Sequence, residues 1–128
     1  MSDSLKSMRI ALVSHDGKKP EMVAFVLQNK EKLEQAFLFA TGTTGNHIEQ
    51  AGITVEKLLS GPKGGDAQIA SLVATKQLDL VIFFRDPLGK HPHEPDVQML
   101  MRLCDVHNVA LATNPASAKL MLDGIASS

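Results

Sequence analysis

Apolar residues in this chain fall into short dense runs, separated by stretches where they recur every three or four positions. The dense runs read as strands and the periodic stretches as amphipathic helices. Residues 9–14 are nearly all apolar and predict a first strand. Met22, Phe25, Val26 and Asn29 then repeat at helical spacing after Pro20, which suits a first helical turn. Residues 37–40 predict a second strand, and 43–51 a short helix stopped by Gly52. A third strand is expected over 55–59 and a helix over 66–75. Residues 78–84 carry the clearest buried-strand pattern. Val97, Leu100, Met101 and Cys104 mark one face of the next helix, before a fifth strand over 109–112 and a last helix over 115–122.

Strands that are apolar on both faces and alternate with helices predict an α/β fold. The expected architecture is a five-stranded, mostly parallel sheet with helices on both faces, a three-layer sandwich of the Rossmann/flavodoxin type. No repeat, linker or low-complexity segment interrupts the pattern, so residues 1–128 are expected to form one domain. Right-handed crossovers then bring every strand-to-helix loop to one edge of the sheet, where open α/β sheets bind ligands. His15 and Asp16, Thr41 to Thr44, Ser60 to Asp66, Arg85 to His93, and Thr113 with Asn114 all belong to that edge.

Composition narrows the function classes. The net charge is −1 with charges mixed along the chain, which argues against a general nucleic-acid or anionic-membrane binder. The apolar runs are too short to span a bilayer, and the polar first eight residues do not read as a signal peptide. Cys104 is the only cysteine, which excludes an internal disulfide and fits a reducing cytoplasm. It lies on an apolar helix face and is expected to be packed and inert.

The convergent loops are rich in anion-binding and acid–base groups. Thr43 and Thr44 follow Gly42 at a helix start, where hydroxyls and N–H groups can cradle a single phosphate, with Lys19 adding charge from a neighbouring loop. Ordinary helix capping explains the same loop equally well. It matches neither the P-loop nor the dinucleotide glycine pattern. Asp66 follows Gly64 and Gly65 at another helix start, as an N-cap or as a base beside the cradle. Asp96 has the same two readings, and Asp86, before Pro87, reads as a turn residue or as one that supports the site residues from behind. Like charges crowded in one cleft make a carboxylate a better base near neutrality, and a neutral histidine nearby can steady a developing enolate oxygen.

His91, His93 and His15 lack metal-ligand spacing, so no metal is expected. A phosphoacceptor receiver needs an aspartate after the third strand and a lysine after the fifth. Leu59-Ser60 and Thr113-Asn114 stand there instead.

Taken in order, His15-Asp16 with Lys19, ATGTTG from Ala40, SGP-x-GGD-x-Q from Ser60, FFRDPL from Phe83, PHEPD from Pro92 and ATNPASA from Ala112 resemble the methylglyoxal synthases. The likeness spans about residues 8–122. It implies a lyase that converts dihydroxyacetone phosphate to methylglyoxal and inorganic phosphate without cofactor or metal. It also implies roles: Asp66 as base, His93 near the substrate oxygens, Asp16 and Asp96 as supporting carboxylates. His15, Lys19, Thr41, Gly42, Thr43, Thr44, Ser60 and Gly61 match the substrate and phosphate contacts. Family members usually form homohexamers and are often inhibited by phosphate. Some longer members carry a C-terminal extension that reaches a neighbouring subunit's site. With the chain ending at Ser128, that contribution is expected to be missing or replaced, with Arg85 as a candidate substitute. The competing expectation is a non-catalytic phosphate- or nucleotide-binding module, the use made of this fold in larger biosynthetic enzymes. Retention of Asp66, His93 and Asp96 argues against it, since binding alone needs no base.

Overall fold

A computed structural model describes residues 3–60, 63–89 and 97–127. Five strands form one sheet: β1 (Arg9–Ser14), β2 (Phe37–Thr41), β3 (Glu56–Leu58), β4 (Leu80–Phe84) and β5 (Ala110–Ala112). Their order is β3-β2-β1-β4-β5, and every pairing is parallel. The helices are α1 (Asp3–Lys6), α2 (Lys19–Gln28), α3 (Lys30–Leu33), α4 (Gly42–Gln50), α5 (Gly65–Ala74), α6 (Val97–His107) and α7 (Pro115–Ala126).

Alternation along the central strands sorts the helices into two layers. Ile10, Leu12, Leu80, Ile82 and Phe84 face a cluster completed by α1, α2, α3, α4 and α7. Ala11, Val13, Val81 and Phe83 face the opposite cluster, completed by Ile69 and Val73 of α5 and Leu100 and Cys104 of α6. The crossovers through α2 and α4 step one way along the sheet, and those through α5 and α6 step back on the other face. Right-handed connections require that exchange of faces when direction reverses. The reversal leaves a crevice at the carboxyl ends of β1 and β4, the place where such sheets bind ligands.

Several boundaries differ from the sequence pattern for local reasons. The third strand is only Glu56–Leu58, an edge strand whose Glu56 and Lys57 are exposed, while Val55 is buried just outside it. The fourth begins at Leu80 because Asp79 closes the sheet's lower end. Its N–H donates to Arg9 O at 2.8 Å, and its Oδ2 accepts from the Arg9 N–H at 2.9 Å. Met101 sits at the rim of α6, more than a third exposed, so the buried face there is Leu100 and Cys104. The short helices α1 and α3 have no periodic signature, and each docks through one leucine, Leu5 or Leu33. The last helix runs on to Ala126, and its N-cap, Asn114, accepts from Ser117 N–H at 2.9 Å.

Cys104 is buried as expected. Burial first, and the nearby Asp105 charge second, push its thiol up to about 11. A thiol that stays protonated and shielded is a poor nucleophile. We expect a thiol-directed disulfide reagent at pH 8 to label the native protein far more slowly than the urea-unfolded chain, measured by absorbance.

Candidate active site

The site is built from the loops that leave β1, β2 and β3 at the carboxyl edge. His15 follows β1 directly and is only 4% exposed. Its N–H donates to Phe84 O at 3.1 Å, which extends the β1–β4 ladder by one step. Its ring meets the Phe83 ring edge-on, with centroids 5.1 Å apart. Its Nδ1 accepts from the Asp86 N–H at 2.8 Å, so the neutral ring carries its proton on Nε2. The chain then makes a 3-10 turn over Asp16–Lys18 and enters α2 at Lys19. Lys19 Nζ lies 2.6 Å from Asp16 Oδ1, pairing two residues of the same motif.

The second loop opens α4. Thr41 ends β2 and is the N-cap in extended conformation, yet its side chain makes no capping hydrogen bond. Thr41 thus holds the capping position expected within this loop, but without a side-chain cap. Thr44 is 2% exposed, and its hydroxyl lies 3.2 Å from that of Ser14, tying the second loop to the first. Thr43 is exposed between them. By helix geometry the N–H groups of this first turn have no intrahelical acceptor, and the helix dipole adds positive potential. Together these groups are an arrangement that can receive a small anion.

The third loop is locked against the second. Gly42 has φ +29°, and a Cβ there would stand 2.7 Å from Ser60 Cα. Ser60 O accepts from both Lys63 N–H (3.0 Å) and Gly65 N–H (2.8 Å), while Gln68 Oε1 accepts from Leu59 N–H at 2.7 Å. These bonds curl the loop into the start of α5. The N-cap is Gly64, at φ +113°, and Asp66 is the second residue of the helix. Asp66 is therefore not the cap, contrary to one of its two expected readings. Its half-buried carboxylate lies in the first turn, where the dipole favours an anion.

The described loops thus join His15 to Asp86, Ser14 to Thr44, Gly42 to Ser60, Lys19 to Asp16, and Ser60 through Gly65 to the turn that bears Asp66. Gly61, His93 and Asp96 lie outside the described residues. Arg85 is exposed and lines a neighbouring cleft of about 350 Å³ with Lys18, Glu21, Thr113 and Asn114. The sequence reading missed Ser14, a polar residue closing an otherwise apolar strand at the binding edge. Asp86 was expected to shape a turn or to support a site residue, and its N–H bond to His15 fits the second reading, though the partner was not foreseen. Among the described residues no three His, Cys, Asp or Glu side chains come together as metal ligands. No helix among them is long and apolar enough to cross a membrane.

The MGS-like domain model matches residues 21–113. A methylglyoxal synthase of Carboxydothermus hydrogenoformans is 55% identical over 90% of this chain and 96% of its own length. The chain belongs to the methylglyoxal synthase family. A further member, from Moorella thermoacetica, is 57% identical over 90% of this chain and 91% of its own. The crystal structure of methylglyoxal synthase from Elizabethkingia anophelis superposes with a TM-score of 0.88, at 45% identity, over 91% of this chain and 78% of that one. For a synthase family, a carboxylate at the opening of α5 beside an anion cradle on α4 is an arrangement that can perform proton abstraction next to a phosphate.

Proposed function

We propose that this protein is a methylglyoxal synthase, a carbon–oxygen lyase acting on dihydroxyacetone phosphate. The observation that carries the proposal is the junction of the α4 and α5 openings. Gly42 and Ser60 are in backbone contact, so a phosphate on the first turn of α4 lies one loop away from the carboxylate of Asp66. The relatives named above are matched over 91% and 96% of their own lengths, so the likeness takes in nearly the whole of each synthase.

In this reading Asp66 removes a proton from C3, the hydroxyl-bearing carbon, and the electron pair passes to the carbonyl oxygen as an enediolate. Loss of the C3 hydroxyl proton then forms the aldehyde. The carbon–carbon double bond shifts toward C1, and the C1–oxygen bond to phosphate breaks. The hydroxyl proton goes to the departing phosphate, and protonation of C1 of the remaining enolate, by water or by the acid form of Asp66, gives the methyl group of methylglyoxal. Fixed dipoles at the developing oxygen charge lower the barrier. His93 is assigned to that oxygen, with Asp16 and Asp96 as supporting carboxylates. His15, Lys19, Thr41, Gly42, Thr43, Thr44, Ser60 and Gly61 hold the substrate and its phosphate. Residues 1–128 act as one domain in the cytoplasm, without metal or cofactor. Copies assemble as a homohexamer, and inorganic phosphate inhibits as a product that fits the cradle. Purified protein mixed with dihydroxyacetone phosphate should release methylglyoxal and phosphate in equal amounts. Phosphate release with no methylglyoxal, or no turnover, would sink the proposal.

Lys19 gives a second test. Lys19→Ala is expected to weaken inorganic phosphate binding by about 1–3 kcal/mol, the range for one lost charge-assisted contact. Calorimetric titration of wild type and variant checks it, and equal affinities would remove Lys19 from the phosphate site.

A further inference from the structure

The bond between His15 and Asp86 raises the question of what holds that N–H in place. The sheet does so only as far as Arg85, whose N–H donates to Thr113 O at 3.4 Å, because β4 ends at Phe84 and Asp86 lies beyond it in the loop. The side chain of Asp86 does the rest. Its Oδ1 accepts from the Leu88 N–H at 3.0 Å, which closes an Asx turn, and Gly89 N–H lies 3.3 Å from Asp86 O. Gly17, from the loop that follows His15, packs on the other carboxylate oxygen: a Cβ there would meet Oδ2 at 2.8 Å. The carboxylate is therefore bonded through Oδ1, with Gly17 close beside Oδ2, and the backbone N–H of the same residue meets Nδ1 of a buried imidazole.

The protonation pattern of His15 follows. A nitrogen that accepts an N–H bond bears no proton, so Nε2 is the donor of the ring. The alternative tautomer would place two N–H groups face to face at 2.8 Å and turn Nε2 into a lone pair. Toward an anionic ligand that exchange converts a donor into a repelling acceptor. We infer that Asp86 is a positioning residue: its carboxylate closes the turn that keeps its own N–H on His15 Nδ1, and so selects the Nε2–H tautomer that donates to the phosphorylated substrate. The final step rests on the synthase proposal, whereas the selection of the tautomer does not.

The test reads the ring nitrogens directly. Protein labelled with 15N-histidine is compared as wild type, Asp86→Ala and Asp86→Asn, with the His15 signals assigned by their loss in His15→Asn. Asparagine keeps an Oδ1 that can accept from Leu88 N–H. Wild type and Asp86→Asn should show an unprotonated Nδ1 and a protonated Nε2, and Asp86→Ala a population of the Nδ1–H form. Phosphate binding should weaken roughly threefold to tenfold in Asp86→Ala and stay within about twofold in Asp86→Asn, as for one misdirected hydrogen bond. If Asp86→Ala fails to fold, Leu88→Pro removes the N–H that the carboxylate holds at an exposed position and should give the same mixed tautomers. An unchanged tautomer in the variant that folds would overturn the inference. So would a protonated Nδ1 in wild type, or equal losses of affinity in Asp86→Ala and Asp86→Asn. Absence of turnover in wild type with the expected tautomer pattern would instead count against the synthase proposal alone.

Discussion

Asp66→Asn is expected to lower turnover of dihydroxyacetone phosphate by roughly 10²–10⁴-fold, the effect of losing a positioned general base. The substitution is nearly isosteric, and its structural consequences are bounded by where Asp66 stands. Gly64 is the N-cap of α5, so no capping side chain is lost. Among the changes to the fold is the loss of one negative charge in the first helical turn, worth about 0.3–1 kcal/mol for a partly exposed group. A variant that melts close to wild type yet barely turns over would separate the chemical role from the structural one. Steady-state kinetics should show the loss in kcat and kcat/KM together, because a base acts in the transition state and not in substrate binding. More than about a tenth of wild-type turnover in Asp66→Asn would mean that another group takes the proton.

That prediction depends on an arrangement only partly legible in the sequence. The sheet was legible because its strands are buried on both faces: Ile10 to Val13 and Leu80 to Phe84 leave no polar position for solvent, a pattern that only a covered parallel sheet explains. From strand–helix alternation and crossover handedness the binding edge followed, and with it the company of His15, Thr44 and Ser60. The glycines were legible as a group but not by role. Gly64 is needed for its positive φ, whereas Gly65 is needed because another backbone comes too close for a side chain. No local pattern distinguishes those two requirements. Tertiary hydrogen bonds were also hidden. Ser14 pairs with Thr44 across 30 positions and Asp86 with His15 across 71, and separations of that size leave no mark in periodicity. Asp86 is the instructive case, since the Asp-Pro signal correctly announced a turn while saying nothing of which group the turn presents.

Gly65→Ala is expected to be among the most damaging single-methyl additions in the chain. A Cβ at Gly65 would lie 2.1 Å from the carbonyl oxygen of Leu59 and 3.0 Å from the carbonyl carbons of Leu59 and Ser60. All three neighbours are backbone, so no rotamer change can relieve the overlap. The loop from Leu59 to Ser60 must move, and the Gly65 N–H bond to Ser60 O and the Gln68 bond to Leu59 N–H move with it. Overpacking against fixed atoms costs about 1–3 kcal/mol, and the disrupted hydrogen bonds add about 0.5–1.5 kcal/mol each. Because Asp66 is the next residue, turnover should fall along with the melting temperature. Gly124→Ala provides the internal comparison. It adds the same methyl to an exposed position inside α7 with nothing within 4 Å, and replacing a helical glycine there should stabilise by roughly 0.5–1 kcal/mol. Thermal melts of the two variants should therefore move in opposite directions, with activity lost only in Gly65→Ala. A Gly65→Ala protein that melts and turns over like wild type would show that the Leu59–Ser60 loop yields freely, and that the close approach does not hold Asp66 beside the phosphate cradle.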